Sequence, residues 1–444
     1  MVKAVNLDYA RAPRPGLVFG CLMPAPWLGA AAGLLLALGP AEALPDRFAP
    51  LALAAVHVLA LGMLLPVMLG ALFQMMPVVA GVSVPFAGRI SPFVAAAGAG
   101  TAVALAAGFL GAGPTPFRWA AALGGTFLTL AGILLLSAGV RVAAVDATTR
   151  TLAWIGAPLI VTALGGATLA GLFGGLWTVA PHQVLALHVA WGLGGWLAAL
   201  VTGVATTVLP MFWQAERLPA WLERCLPLGH WGLLLAFSIV MVEQPDGKAA
   251  RFALLPWLLF AMLVGAYALA ATLRARRRHD PQWLLWPVAA ASLLTAALLA
   301  AIEVLAPNGV PAVLQWWIGV LALVGGGVLP VNAMLGKIVP FLVWLHLRRL
   351  LPPRARVPAM QVIISPEKQK QQGWLVLASF GLLLALPVAP ALLASVAGVL
   401  FAVANGWLGV QLLSALRCMR AMRKQGGLPP RVAAAVAEHE APRG

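Results

Sequence analysis

Charge is what this chain has least of. Only 9% of its 444 residues are Asp, Glu, Lys or Arg, against about a quarter in a soluble globular domain. So few ionic groups cannot coat a water-facing surface of the usual size, and a soluble fold is excluded. Cysteine is nearly absent too. The three are Cys21, Cys225 and Cys418, with no CxxC or CxxCH pair, which rules out a disulfide framework and covalent haem attachment. Only two tyrosines occur, Tyr9 and Tyr267. Acids are scarce where they would matter most. Of the thirteen carboxylates, none falls at the middle of an apolar run, and Glu303 comes closest. Proton pumps and ion-coupled transporters place a carboxylate near the bilayer centre. Its absence argues against coupled transport and against vectorial proton pumping.

What is abundant is apolar sequence, 62% of the chain. Many windows of about 20 residues carry no charge, long enough to cross a bilayer. The fold class read from this is an all-α polytopic membrane protein. Twelve transmembrane helices are expected near 17–39, 51–80, 92–112, 118–141, 152–178, 183–212, 226–242, 252–273, 283–305, 311–335, 373–389 and 393–416. The whole of 17–416 forms one transmembrane domain. Residues 1–16 are polar and proline-rich, without a cleavage site after the first apolar run, and are expected to be a retained tail. Residues 417–444 form a basic tail. The last part of span ten is too long for one crossing. Residues 337–347 are therefore expected as an interfacial helix, followed by a basic loop over 348–372. Usage heavy in Ala, Leu, Gly and Arg points to a bacterium.

The net charge of +16 would indicate nucleic acid in a soluble domain; here no nucleic-acid partner is expected. With the N-terminus inside, only Arg47, Arg118, Lys248 and Arg251 of the 29 basic residues fall outside. The reverse topology would invert this bias. Both termini are thus expected to be cytoplasmic, with the basic loops against anionic lipid headgroups.

Two stretches share a layout. HVLALGMLLPVMLGALFQMMPVVA begins at His57, and HVAWGLGGWLAALVTGVATTVLPMFW begins at His188. Pro77 lies 20 residues after His57 and Pro210 lies 22 after His188. Spans two, six and ten end in QMMPV, TVLPM and GVLPV, four spans apart. That spacing predicts three four-helix units around a pseudo-threefold axis.

Of the seven histidines, His57 and His188 lie at matched depth below the outer surface of parallel helices. A shared ligand site requires this, and neutral imidazole is a common metal ligand and the usual axial ligand of haem iron. Each also admits a plainer reading, a hydrogen bond to a neighbouring helix carbonyl. His182, at the outer lip of span six, points to another helix face. His230 and His346 read as interface anchors beside Trp231 and Trp344, and His279 and His439 as solvent groups. Met63, Met68, Met75, Met76 and Met211 bring thioethers that suit Cu(I), though methionine is also an ordinary packing residue. Thr202, Thr206 and Thr207 are placed to carry a water chain or to bond their own helix.

Twelve spans, a cytoplasmic N-terminus, His57 in span two, His188 in span six and the threefold pattern together resemble the haem–copper oxidase subunit I superfamily. Within it, the chain looks closer to the shorter haem–copper-like members linked to nitric oxide stress than to the true respiratory oxidases. The resemblance implies that His57 ligates a low-spin haem and His188 a copper. The chain departs from the family in lacking His-His in span seven, His-x-His in span ten (Gln315, Trp316 and Trp317 stand there) and a span-six tyrosine. The oxidase reaction is therefore not implied. What is expected is haem b, or a transition metal such as copper, held by His57 and His188 in an inner-membrane protein. Its role would lie in respiratory, nitric-oxide or copper homeostasis, with a periplasmic electron-transfer or copper-handling partner. The competing classes are a non-redox transporter or permease and a scaffold subunit.

Overall fold

The computed structural model describes residues 8–244, 248–306 and 309–427. The outer parts of the two tails, 1–7 and 428–444, lie outside the described residues. So does His439.

Among the described residues the chain is helical throughout, without a strand. Twelve helices are long and apolar enough to span a membrane. They are Pro15–Leu38, Pro50–Val79, Ala87–Phe109, Pro114–Gly139, Gly156–Phe173, Pro181–Trp213, Ala220–Glu243, Ala249–Leu273, Leu285–Leu305, Ala312–Leu350, Pro366–Val388 and Pro390–Gln425. The protein is an all-α polytopic membrane protein.

Spans two, six and ten share one internal design. Each opens with an α-helical stretch: Pro50–His57, Pro181–Val189 or Ala312–Gly319. Each then widens into π turns: Val58–Leu64, Ala190–Ala198 or Val320–Val328. Each returns to α-helix for the rest of its length. A π turn bonds i to i+5 and interrupts the regular ladder. Pro66 and Pro330 follow just behind such turns, where the missing N–H and bulky ring disturb a ladder already broken. The π stretches are rich in glycine, and one glycine marks where the three spans meet. A methyl group on Gly327 would lie 3.2 Å from both Leu64 Cδ1 and Leu197 Cδ2.

This meeting point sets the register of the repeat. Counting thirteen residues on from Leu64, Leu197 and Gly327 reaches Pro77, Pro210 and Pro340, each inside its helix. The third copy of the proline motif is therefore KIVPF around Pro340 and not GVLPV around Pro330. The periodicity expected from sequence holds, with its last member ten residues later.

The remaining spans fill three arcs around this centre. Three to five run from two to six, seven to nine from six to ten, and eleven, twelve and one from ten back to two. The seam between spans one and twelve closes the ring. It is a backbone-to-backbone contact at two glycines. A methyl on Gly33 would come within 2.6 Å of Gly398 O, and one on Gly398 within 2.6 Å of Gly33 O. Small residues at such crossings let helices approach closely, which is how apolar helices gain packing energy in lipid.

The interfacial helix expected over 337–347 is not a separate element. Span ten runs unbroken to Leu350. Val339, Leu342, Val343, Leu345, His346 and Leu347 are buried along it. The N-terminal segment meets its end: Arg349 donates to the carbonyls of Ala10 and Ala12, each at 3.1 Å. Arg11 donates to Gly81 O at 2.7 Å, and the Tyr9 ring packs edge-on against Phe341. Residues 8–12 are thus docked across the basic face.

Buried amides stitch spans ten, eleven and twelve to the start of span nine. Gln372 Nε2 donates to Asn332 Oδ1 at 2.5 Å, Gln369 Nε2 to Gly336 O at 3.1 Å, and Gln282 Nε2 to Gln369 O at 2.8 Å. Lys337 pairs with Asp280 beside them. Gln372 and Asn332 are fully buried. Replacing Gln372 with Leu leaves the Asn332 carbonyl oxygen without a donor, at a cost of about 1–3 kcal/mol. The expected result is a lower thermal midpoint in detergent. An unaltered midpoint would show that the lattice contributes nothing.

Candidate functional site

His57 and His188 each lie seven residues beyond the first residue of their helix, Pro50 or Pro181. At 1.5 Å per residue this puts both roughly 10 Å along their spans. The π stretch begins directly after His57 and one residue after Val189, so the two imidazoles sit at the same landmark.

Their surroundings differ in shape and agree in chemistry. His57 Nδ1 is 2.7 Å from Leu53 O, one turn back in its own helix. Its ring packs on Phe109 of span three at 5.4 Å between centroids. Phe117 and Phe173 extend that aromatic cluster. His188 Nδ1 is 3.0 Å from Thr162 O of span five. Its ring lies over Gly165 and Gly166, where a methyl on Gly166 would come within 3.0 Å of His188 Cε1. The paired glycines are the reason the imidazole fits against span five.

A carbonyl oxygen only accepts, so each Nδ1 carries the proton and donates it. Each Nε2 is left with the lone pair. No protein group among the described residues bonds either Nε2. Neither is sealed inside, unlike His346 Nε2, which is buried without a partner. Backbone carbonyls that hold one imidazole nitrogen and present the other are the usual outer support of a ligating histidine. Among the described residues no group of three or more His, Cys, Asp or Glu forms a metal cluster.

No protein-family model matches this chain, and no curated protein matches it.

The other histidines separate from this pair by hydrogen bonding. His230 is not an interface anchor. Span seven begins at Ala220, six residues before the sequence-based start, and His230 is 1% exposed. Trp257 Nε1 donates to its Nδ1 at 3.2 Å. Its Nε2–H then points to Thr202 Oγ1 at 3.3 Å, and the Thr202 hydroxyl donates to Ala198 O at 2.6 Å. Both nitrogens are used, so His230 is a packing element of spans six, seven and eight. His346 is likewise buried, 3% exposed, against Phe19. Nothing in the local sequence distinguishes these buried residues from headgroup-level ones, because Trp231 and Trp344 beside them look like belt residues. His182 lies exposed at the start of span six.

The methionines do not gather at the site. Met63 and Met76 are fully buried core residues, and Met211 Sδ lies 4.0 Å from the Tyr9 hydroxyl. The span-six threonines are mostly satisfied locally. Thr148 Oγ1 bonds Thr206 and Thr207 at 3.0 and 2.8 Å, and Thr206 donates to Gly203 O. At the span-ten positions, Trp316 and Trp317 donate to the carbonyls of Leu383 and Leu384 at 2.8 and 2.9 Å. They tie span ten to span eleven.

Proposed function

We propose that this chain is a bacterial inner-membrane protein with both termini cytoplasmic. It binds haem b or a single transition-metal ion in its outer half through His57 and His188. It serves respiratory, nitric-oxide or copper homeostasis on a scaffold like that of the haem–copper oxidases, without a complete oxidase site. The observation that carries this reading is the shared tautomer: two imidazoles at one depth, each with Nδ1 tied to a backbone carbonyl and Nε2 unbonded. Imidazole nitrogens are donors that would hold a haem iron or Cu(I). Either group, once bound, supplies one-electron chemistry. The protein's own part is to hold the ring nitrogens and to wall one side with Phe109. The orientation rests on the basic residues, all but four of which fall on one side. A periplasmic electron carrier or copper-handling protein is the matching partner, since the histidines lie near that face.

The test is a reduced-minus-oxidised spectrum with metal analysis of the purified protein. The expected result is a b-type haem signal or one metal ion per chain. A colourless, metal-free preparation that stays so after haem and copper supplementation would refute the reading and favour a permease or scaffold subunit.

A further inference from the structure

On the basic face, the residues directly after Pro77, Pro210 and Pro340 meet one short segment of the chain. They are Val78, Met211 and Phe341, and all three touch Asp8 or Tyr9. Asp8 N donates to Val78 O at 3.0 Å. The Tyr9 hydroxyl lies 4.0 Å from Met211 Sδ, and the Tyr9 ring meets Phe341 with centroids 5.6 Å apart. Two adjacent residues thus contact one pseudo-equivalent position on each central span. Spans two and six end there, at Val79 and Trp213, while span ten runs on beside the segment.

Local chemistry shapes the segment for this place. Tyr9–Arg11 form a single 3-10 turn. Asp8 caps it by accepting from Ala10 N at 3.1 Å, and the Asp8 carboxylate pairs with Arg11 at 3.0 Å. The hold is slight. That ion pair is half exposed and adds little, and Tyr9 is the only large apolar side chain in the turn. A segment with so few buried contacts lies at the low end of local stability and opens without the rest of the fold.

The helix ends that the segment bridges carry a cost of their own. Within six residues of its motif proline, each central span buries a polar atom without a partner: Gln74 Oε1, Trp213 Nε1 and His346 Nε2. Such burial costs free energy that contact with water would return. Contacts between the span ends offset it. Phe212 against Phe341 joins six to ten, and Asp8 and Tyr9 add the link to two.

We infer that residues 8–12 are a releasable strap. Docked, the strap clamps the ends of spans two and six against span ten. Released, it lets those ends part and admits water to Gln74, Trp213 and His346. The device is separate from the histidine pair, which lies at the other end of spans two and six.

Hydrogen–deuterium exchange of the full-length protein in detergent, read by mass spectrometry, tests this. Tyr9→Ala removes the contacts to Met211 and Phe341. Exchange is then expected to speed up about tenfold or more in peptides spanning 74–82, 209–215 and 338–346, as well as in 8–14. Arg349→Ala frees the carbonyls of Ala10 and Ala12 and is expected to do the same. It carries the test if Tyr9→Ala fails to fold, and size exclusion checks each variant. Tyr9→Phe keeps the ring and is expected to leave the rates within about twofold of wild type. Arg348→Ala removes the neighbouring charge, which stands over Trp344 and not on the strap, and is expected to leave them there too. Fast exchange confined to 8–14 would mark a passive tail and overturn the inference. So would unchanged rates in both Tyr9→Ala and Arg349→Ala, or equal loosening in Arg348→Ala and Arg349→Ala.

Discussion

If the histidine pair holds haem or a metal ion as proposed, changing His188 to Ala is expected to lower the amount bound per chain at least tenfold. The fold should survive, because no residue of Pro181–Val189 is buried, so trimming this side chain removes little packing. His57→Ala is expected to give the same loss. The cause is geometric in both cases. Among the described residues, no group of three or more His, Cys, Asp or Glu is present to hold an ion in their place. Free imidazole added to His188→Ala is expected to restore part of the signal, since the space over Gly165 and Gly166 remains. Gly166→Val probes the same place from the other side. Its side chain takes the volume of the His188 ring and should lower cofactor content without touching a ligand. His230→Gln is the contrast. It disturbs a histidine whose two nitrogens already have protein partners, and cofactor content should not change. The measurement is the absorption spectrum and metal content of each variant after size exclusion. Wild-type values in both His57→Ala and His188→Ala would move the site elsewhere or remove it.

The second large effect is expected at the seam between spans one and twelve. Gly398→Val places two methyl groups against the Gly33 carbonyl and the Ala37 backbone, where one methyl carbon already falls at 2.6 Å. Backbone cannot swing aside as a long side chain can, so the two spans must separate. Overpacking of this kind costs about 3 kcal/mol. The seam also closes the ring of helices, so the loss is felt by the whole bundle. The readout is the thermal unfolding midpoint in detergent, expected to drop by several degrees. Gly20→Ala is the control. Nothing lies within 4 Å of a methyl there, and alanine is the better helix former. Equal midpoints for Gly398→Val and Gly20→Ala would show that the close crossing is not what holds the ring shut.

Sequence alone determined the number of spans, the bias of basic residues to one side, the four-span periodicity and the singling out of His57 and His188. All four follow from hydrophobicity, charge and spacing along the chain. Span ten was misread because Pro330, Gly336 and Pro340 look like break points. A π stretch absorbs the first proline, and burial holds the helix together past the other two residues. The proline motif was placed ten residues early for the same reason, since only the meeting of Leu64, Leu197 and Gly327 sets the register. His230 and His346 were read as surface anchors because burial is a property of neighbours on other helices. Tertiary structure alone decided which imidazole nitrogens are free. For His188 and His230 that depends on a carbonyl, a hydroxyl and an indole contributed by residues 26 to 28 positions away, which no pattern along one helix can reveal.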